Sequence, residues 1–467
     1  MSARATQPTR PATGREIDAL IEAEATVGAN RSAPAGLLGR LLAGLRADAL
    51  TRSSSLLIVN YMIVGALGGI CSIIATHGWS PHQVGAVAAI TGVVALLSTG
   101  TSSGPGSTIT RFLGGERNQL SFVAEASLLV VLAGLGVSAA VAFVPGHFGV
   151  RITDLFGGSV LAFALIGGCV AAKNITAVTD PAFVARKEVS YAVVKDLAAA
   201  LLRIGILVAL IGTGARGLFI AMLLYVAIAA LMDVGLVGAR LRDAVPHSAL
   251  RQLRMIRRRL RFVAGSHSAA LVAALPTTLL PAIVAAVDGP ASAAYVGIPL
   301  TIATYLTIIP SMTSQALLTE LSGSSTSVPR TAARALRLAY VATMPVAIVL
   351  IALAPEVLLV FGHSYSVHGS EFLRWLAAST VFSTFNYIGD TVLLARQRVL
   401  AYNVVNCLGT VAVLGCLAGA VAAGFEWIGP GLFLGQILYA AISLATIGRY
   451  GAPRDALAAL AALRWRV

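Results

Sequence analysis

Arg203 lies near the middle of the apolar stretch Ala192–Ile211. A charged side chain at bilayer depth is costly unless it faces protein or water. Two uses fit it: holding an anionic group of a ligand, or pairing with a buried partner such as Asp233. A second concentration of chemistry is Thr301, Thr304, Tyr305, Thr307, Ser311, Thr313, Ser314 and Gln315, crowded into another apolar stretch. With Asn60 and Tyr61 they offer the hydroxyl and amide partners a sugar needs, although such residues also knit packed helices together. A third is Thr99-Gly-Thr-Ser-Ser-Gly-Pro-Gly-Ser-Thr108, whose glycines, proline and hydroxyls should unwind a helix. Its freed amides would hold anionic oxygens; an ordinary helix end is the alternative. Asp180 and Asp390 are each followed six residues later by an arginine, Arg186 and Arg396, a spacing suited to local ion pairs that fix a loop. Asn386 stands close to Asp390. His267 is expected to be a packing residue, and Pro276 and Pro281 to kink their helix.

No Walker A pattern, HExxH pair or nucleophile elbow occurs, so no enzyme activity and no cofactor are expected. Cys71, Cys169, Cys407 and Cys416 all sit in apolar segments without a CxxC pair, which argues against disulfides and zinc.

These residues must be positioned by membrane helices. The chain has 467 residues, 57% hydrophobic and only 12% charged, with mean hydropathy +0.83. A soluble protein could not cover that much apolar surface. Spanning segments are expected near Leu56–Ala75, Val84–Ser102, Phe122–Val144, Val160–Ala177, Ala192–Ile211 and Leu218–Val237. Six more follow near Phe262–Val287, Ala291–Leu318, Ala335–Leu353, Leu376–Leu394, Val404–Ala423 and Ile428–Thr446. The fifth, tenth and twelfth carry the weakest apolar signal.

Between the two sets runs Arg240 to Arg261, with eight arginines and no lysine. With this loop inside, nineteen Lys and Arg residues fall on inner loops and helix ends, and only Arg151, Arg216 and Arg374 fall outside. That bias places both termini in the cytoplasm, and a bacterial inner membrane is the expected location. The net charge of +14 then belongs to loops facing anionic lipid, and no nucleic-acid partner is expected. Residues 1–34 read as a disordered tail without a cleavable signal peptide, and Leu37–Leu50 as an amphipathic helix on the membrane surface. The resulting division is a cytoplasmic tail at 1–51, helical bundles at 52–238 and 262–448, a basic loop at 239–261 and a tail at 449–467.

The two sets repeat. Asp180-x4-Ala185-Arg186-x2-Val189-x4-Val194 recurs 210 residues later as Asp390-x4-Ala395-Arg396-x2-Val399-x4-Val404. Thr110-Arg111-x2-Gly114 matches Thr319-Glu320-x2-Gly323 at an offset of 209. Six helices return the chain to its starting side, so the repeats run parallel, an arrangement that encloses a substrate site between halves.

Gly106-Ser-Thr-Ile-Thr-Arg-Phe-Leu113, and Phe361-Gly-His-Ser-Tyr365 followed by Leu373-Arg-Trp-Leu376, resemble motifs of the multidrug/oligosaccharidyl-lipid/polysaccharide (MOP) exporter superfamily, in particular its polysaccharide branch. The resemblance spans residues 52 to 450. It implies an all-α polytopic membrane protein of about twelve helices in two parallel six-helix bundles, V-shaped and similar to the MATE exporters, with helices 1, 2, 7 and 8 lining a cavity. It also implies a flippase that moves a polyprenyl-pyrophosphate-linked oligosaccharide to the outer leaflet by alternating access. On that reading Arg203 would contact the diphosphate, and Asn60, Tyr61, Thr304, Tyr305, Ser311 and Gln315 would line the cavity. Arg111 and Glu320, at matching inner ends of helices 2 and 8, would form a gate and Arg111 a substrate contact. Partners would be the lipid-linked sugar, membrane lipids, and a polymerase or glycosyltransferases of the same pathway. A cation-coupled drug exporter is the rival, but such exporters carry an acidic residue inside helix 1 or 7, and here only Asp288 stands at the seventh segment's outer end. A non-transporting membrane scaffold is the third reading.

Overall fold

The computed structural model describes residues 49–116, 118–143, 157–186, 188–241, 271–323, 328–396 and 398–450. The N-terminal tail, the surface helix at Leu37–Leu50 apart from its last two residues, His267, most of the basic loop and the C-terminal tail beyond Tyr450 lie outside them.

Among the described residues the chain is helical, with twelve long helices. They are α1 Ala49–Gly78, α2 Pro81–Phe112, α3 Gln119–Phe143, α4 Ser159–Ala185, α5 Val189–Ala209, α6 Gly214–Arg240 and α7 Leu271–Val287. They continue as α8 Pro290–Gly323, α9 Val328–Ala352, α10 His363–Ala395, α11 Val399–Ala423 and α12 Ile428–Tyr450. A short helix, Ala354–Leu359, precedes α10. Eight of the twelve are long and apolar enough by themselves to cross a membrane, and α1 and α7 contain shorter apolar runs, Met62–Gly78 and Leu271–Val287. The other two have physical reasons to be faint. Lys195, Asp196 and Arg203 all lie in α5, and α10 opens on the polar stretch His363–Glu371. The Phe361–Tyr365 motif straddles the start of α10, with Gly362 at its N-cap at φ +124°. The twelfth segment, expected to be faint, qualifies as a span.

The repeat is structural. α4 ends at Ala185 and α5 begins at Val189; α10 ends at Ala395 and α11 begins at Val399, all 210 residues on. The connecting turns make the same bonds: Glu188 N–H to the Phe183 carbonyl and Arg398 N–H to the Leu393 carbonyl, both 2.9 Å. Packing follows the two sets, with α2–α6 in mutual contact, α8–α12 likewise, and α2 against α8 joining them.

Polar residues hold the first set at depth. Asn174 of α4, fully buried, donates to the Thr101 hydroxyl (2.8 Å) and the Val130 carbonyl (2.7 Å) and accepts from Ser98 (2.8 Å), so one amide ties α2, α3 and α4. Asn174→Leu should cost about 2 kcal/mol, since each interhelical bond in a membrane contributes roughly 0.6 and three are lost. A thermal midpoint in detergent no lower than that of the parent would contradict it.

Candidate functional site

α2 and α8 meet along small residues near their N-terminal ends. A Cβ on Gly85 would fall 1.6 Å from the Pro290 carbonyl oxygen, and one on Gly297 would touch the Ala88 Cβ at 3.4 Å. A Cβ on Gly92 would sit 2.3 Å from the Thr278 carbonyl of α7. Further along, each helix also makes close contacts within its own set. Gly106 of α2 closes on the Ala177 carbonyl of α4, while Ser314 of α8 donates to the Tyr387 carbonyl of α10 at 3.1 Å. At about 100° per residue, Gly297, Thr304, Ser311 and Gln315 lie within about 40° of one another. The α8 face that seals on α2 at one end thus carries hydroxyl and amide groups further along. Thr304 and Gln315 are exposed and Ser311 half-buried. On α2, Thr99 and Gly100 are exposed at the corresponding level.

Tyr305 points elsewhere, across to α1, where its hydroxyl donates to the Gly65 carbonyl at 2.8 Å. Thr307 and Ser314 face α10, with Thr307 bonded to Tyr387 and Ser314 to both Tyr387 and Thr391. The hydroxyls of α8 therefore divide between exposed positions and packing, in keeping with both uses open to them from sequence.

Thr99–Thr108 does not unwind. α2 runs helically through Pro105 to Phe112, and its hydroxyls are satisfied within the helix: Thr101 on Leu97, Ser102 on Ser98, Thr108 on Gly104. Gly106 serves close approach to α4, and its amide is not freed for an anion.

Asn60 is buried, with its amide donating to Asp196 at 2.8 Å, so it ties α1 to α5 instead of facing open space. Tyr61 follows it in α1, its side chain outside the described residues, as is that of Arg111 in the last turn of α2. Glu320 is exposed in the last turn of α8. Arg203 lies over the Tyr225 ring, 4.7 Å from its centroid, and its charge reaches Cys71 of α1 and Tyr305 of α8. Its expected alternative partner, Asp233, is taken by a residue that sequence reasoning misses. Lys195 of α5, 2% exposed, pairs with Asp180 of α4, with Asp196 at 3.2 Å and with Asp233 of α6 at 3.2 Å. The expected Asp180–Arg186 pair is thereby replaced, and Arg186 bonds Glu188 at 3.1 Å and Gln119 at 2.6 Å. Finding three carboxylates around one lysine needs no motif search, only the recognition that Lys195 and Asp233 fall on facing helices.

No sequence-family profile matches the chain, and no curated protein sequence does. Solved structures do match. A multidrug resistance MATE family transporter of the MOP superfamily, in an inward-facing conformation, superposes with TM-score 0.64 at 16% identity, over 86% of this chain and 98% of that one. Lipid II flippase MurJ in an inward closed conformation gives 0.64 at 13% identity, over 87% and 90%. An outward-facing conformation of a MATE family transporter gives 0.55 at 16%, over 89% and 98%. The fold is that of the MOP superfamily transporters.

Proposed function

We propose that the chain is a membrane transporter of the flippase kind, moving a polyprenyl-diphosphate-linked oligosaccharide between leaflets by alternating access. The observation that carries this reading is the uncharged hydroxyl and amide stripe Thr304, Ser311 and Gln315 on the α8 face that continues the α2 seal. A stripe of this kind suits a polyhydroxylated headgroup, and Arg203 at membrane depth suits its diphosphate. The likeness to MurJ, itself a lipid II flippase, is in keeping with it. If the charge bias of the loops holds the basic loop inside, this reading puts the Gly85–Pro290 seal on the outer face and the opening between the opposite ends of α2 and α8 on the inner one. The better overlay on inward-facing than on outward-facing relatives supports the same state.

Arg111 and Glu320 occupy matching last turns at that inner opening. They form a gate that closes in the outward-open state, and Arg111 takes a diphosphate oxygen when the gate is open. In proteoliposomes loaded with a fluorescent polyprenyl-diphosphate sugar, Arg111→Glu should reduce flipping at least tenfold. The charge-swapped Arg111→Glu/Glu320→Arg protein should stay inactive while inner-mouth crosslinking recovers. Wild-type flipping in Arg111→Glu removes both roles from this residue. Efflux of cationic drugs without lipid flipping by the parent protein would favour the drug-exporter reading instead.

A further inference from the structure

The structural repeat also shows where the second half departs from the first. Spacing alone suggests that Arg396 pairs with Asp390 to fix a loop. Asp390 instead accepts from Asn406 of α11 at 3.2 Å, and Arg396 lines a pocket between α9, α10 and α12. The pocket floor is apolar and buried: Leu336 of α9, Ile388 and Val392 of α10, and Ile447 of α12. Val328, Ala332 and Arg396 stand half-buried at its rim. Subtracting 210 takes Ile388, Val392 and Ile447 to Val178, Ala182 and Val237. Those three pack in one core cluster with Phe122 and Val123 of α3. α9 begins at Val328 and α3 at Gln119, an offset of 209, so the counterparts of Phe122 and Val123 are Thr331 and Ala332. The first half fills this space with a phenyl ring and an isopropyl group; the second has smaller side chains and a pocket.

The charge at the pocket mouth changes in the same register. In the first half Arg186 bonds Glu188 at 3.1 Å and Gln119 at 2.6 Å. Arg186 maps onto Arg396, but Glu188 maps onto Arg398 and Gln119 onto Val328. A carboxylate has become a second guanidinium, and a polar amide an apolar side chain. Arg330 in the first turn of α9 and Arg449 in the last turn of α12 add two exposed cations at this end. α9 also opens here, with the positive end of its dipole beside the pocket. The second half therefore keeps the arginine, exchanges the neighbouring acid for more positive charge, and opens the apolar space next to it.

We propose that this pocket holds an anionic phospholipid of the inner leaflet, of the phosphatidylglycerol class. Its phosphate meets Arg396 and Arg398 where the first half has the Glu188 carboxylate. One acyl chain enters between α9, α10 and α12 where the first half has Phe122 and Val123. A single occupant thus supplies both things that the second half lacks relative to the first, an anion and apolar volume. Contacts between guanidinium and phosphate are charge-assisted and strong, and basic pockets between helices on the cytoplasmic side suit lipid headgroups. A soluble phosphate would meet the arginines and leave the apolar walls uncovered. A zwitterionic lipid would bring its own ammonium into a cluster of arginines. The choice of leaflet follows the loop charge bias, and the site does not depend on which substrate is carried.

The test uses full-length protein in phosphatidylcholine nanodiscs doped with phosphatidylglycerol that carries a photoreactive acyl chain. The expected result is saturable labelling around Ala332 and Val392, competed by unlabelled phosphatidylglycerol but not by phosphatidylcholine or inorganic phosphate. Two variants rebuild the first half. Arg398→Glu returns the carboxylate and should weaken the competing lipid about tenfold; Ala332→Phe returns an aromatic ring and should abolish labelling there. Arg337→Glu, at an exposed arginine of α9 outside the pocket lining, should label as the parent does. Parent-like labelling in both Arg398→Glu and Ala332→Phe would overturn the proposal. So would an equal loss in Arg337→Glu, which would show a diffuse attraction of the basic rim for anionic lipid. Competition by a polyprenyl diphosphate where phosphatidylglycerol fails would overturn it as well, and would make the pocket a station of a transported lipid. Should Ala332→Phe not fold, Arg398→Glu, at an exposed position, decides alone.

Discussion

Lys195→Met should lower the stability of the folded protein by about 3 to 5 kcal/mol, the usual cost of removing one partner from a buried ion pair. The ammonium is 2% exposed and Asp233 fully buried, so the methionine would leave Asp233 with no cation and no water. Asp180 and Asp196 are about a third exposed and would be partly rescued by solvent. The loss should therefore fall mainly on the α5–α6 contact. A fluorescence-detected size-exclusion melt would show the midpoint falling sharply, and Lys195→Met/Asp233→Asn should recover much of it, since the buried charge leaves with its partner. A Lys195→Met protein that melts with the parent would mean that the cluster does not hold these helices.

Gly85→Val should prevent the α2–α8 seal from forming. An ideal Cβ there lies 1.6 Å from the Pro290 carbonyl oxygen and 2.7 Å from its carbon, both backbone atoms that no rotamer change can move. The helices must part or the protein must adopt a state in which this end is open. The signature is a conformational shift without unfolding: Ala88→Cys/Gly297→Cys should crosslink readily in the parent background and at least tenfold less in Gly85→Val. Transport should fall with it. Equal crosslinking in both backgrounds would show that the seal tolerates a side chain, contrary to the packing described above.

Much of this fold is legible in the sequence. Hydropathy marks the twelve segments, and the Asp180 and Asp390 motifs mark the repeat, because spans and turns impose local patterns that survive in a single chain. Contacts between segments distant in the chain leave no such pattern. Lys195 reads as an inner-surface cation because its neighbours along the chain, Ser190 to Asp196, look like a helix end; only α4 and α6, brought alongside, bury it. Thr99–Thr108 looks like broken backbone because glycine and proline dominate it. Its hydroxyls find partners on carbonyls of the same helix, and close packing against α4 requires its small side chains. The cost of Arg203 is evident from its place in an apolar stretch, but a tyrosine ring cannot be picked out as its partner from spacing alone.

The Tyr305–Gly65 contact sets a pattern of mutational tolerance along α1. Tyr305 grips a main-chain carbonyl, which every residue supplies, so the identity of most α1 side chains is irrelevant to the grip. What matters is that nothing stands in the way: a Cβ at Gly65 would come 3.0 Å from the ring and one at Gly68 3.2 Å from the hydroxyl, whereas Gly69 has open space. Saturation mutagenesis of this helix should therefore show two intolerant glycines one turn apart, with a permissive glycine directly beside the second.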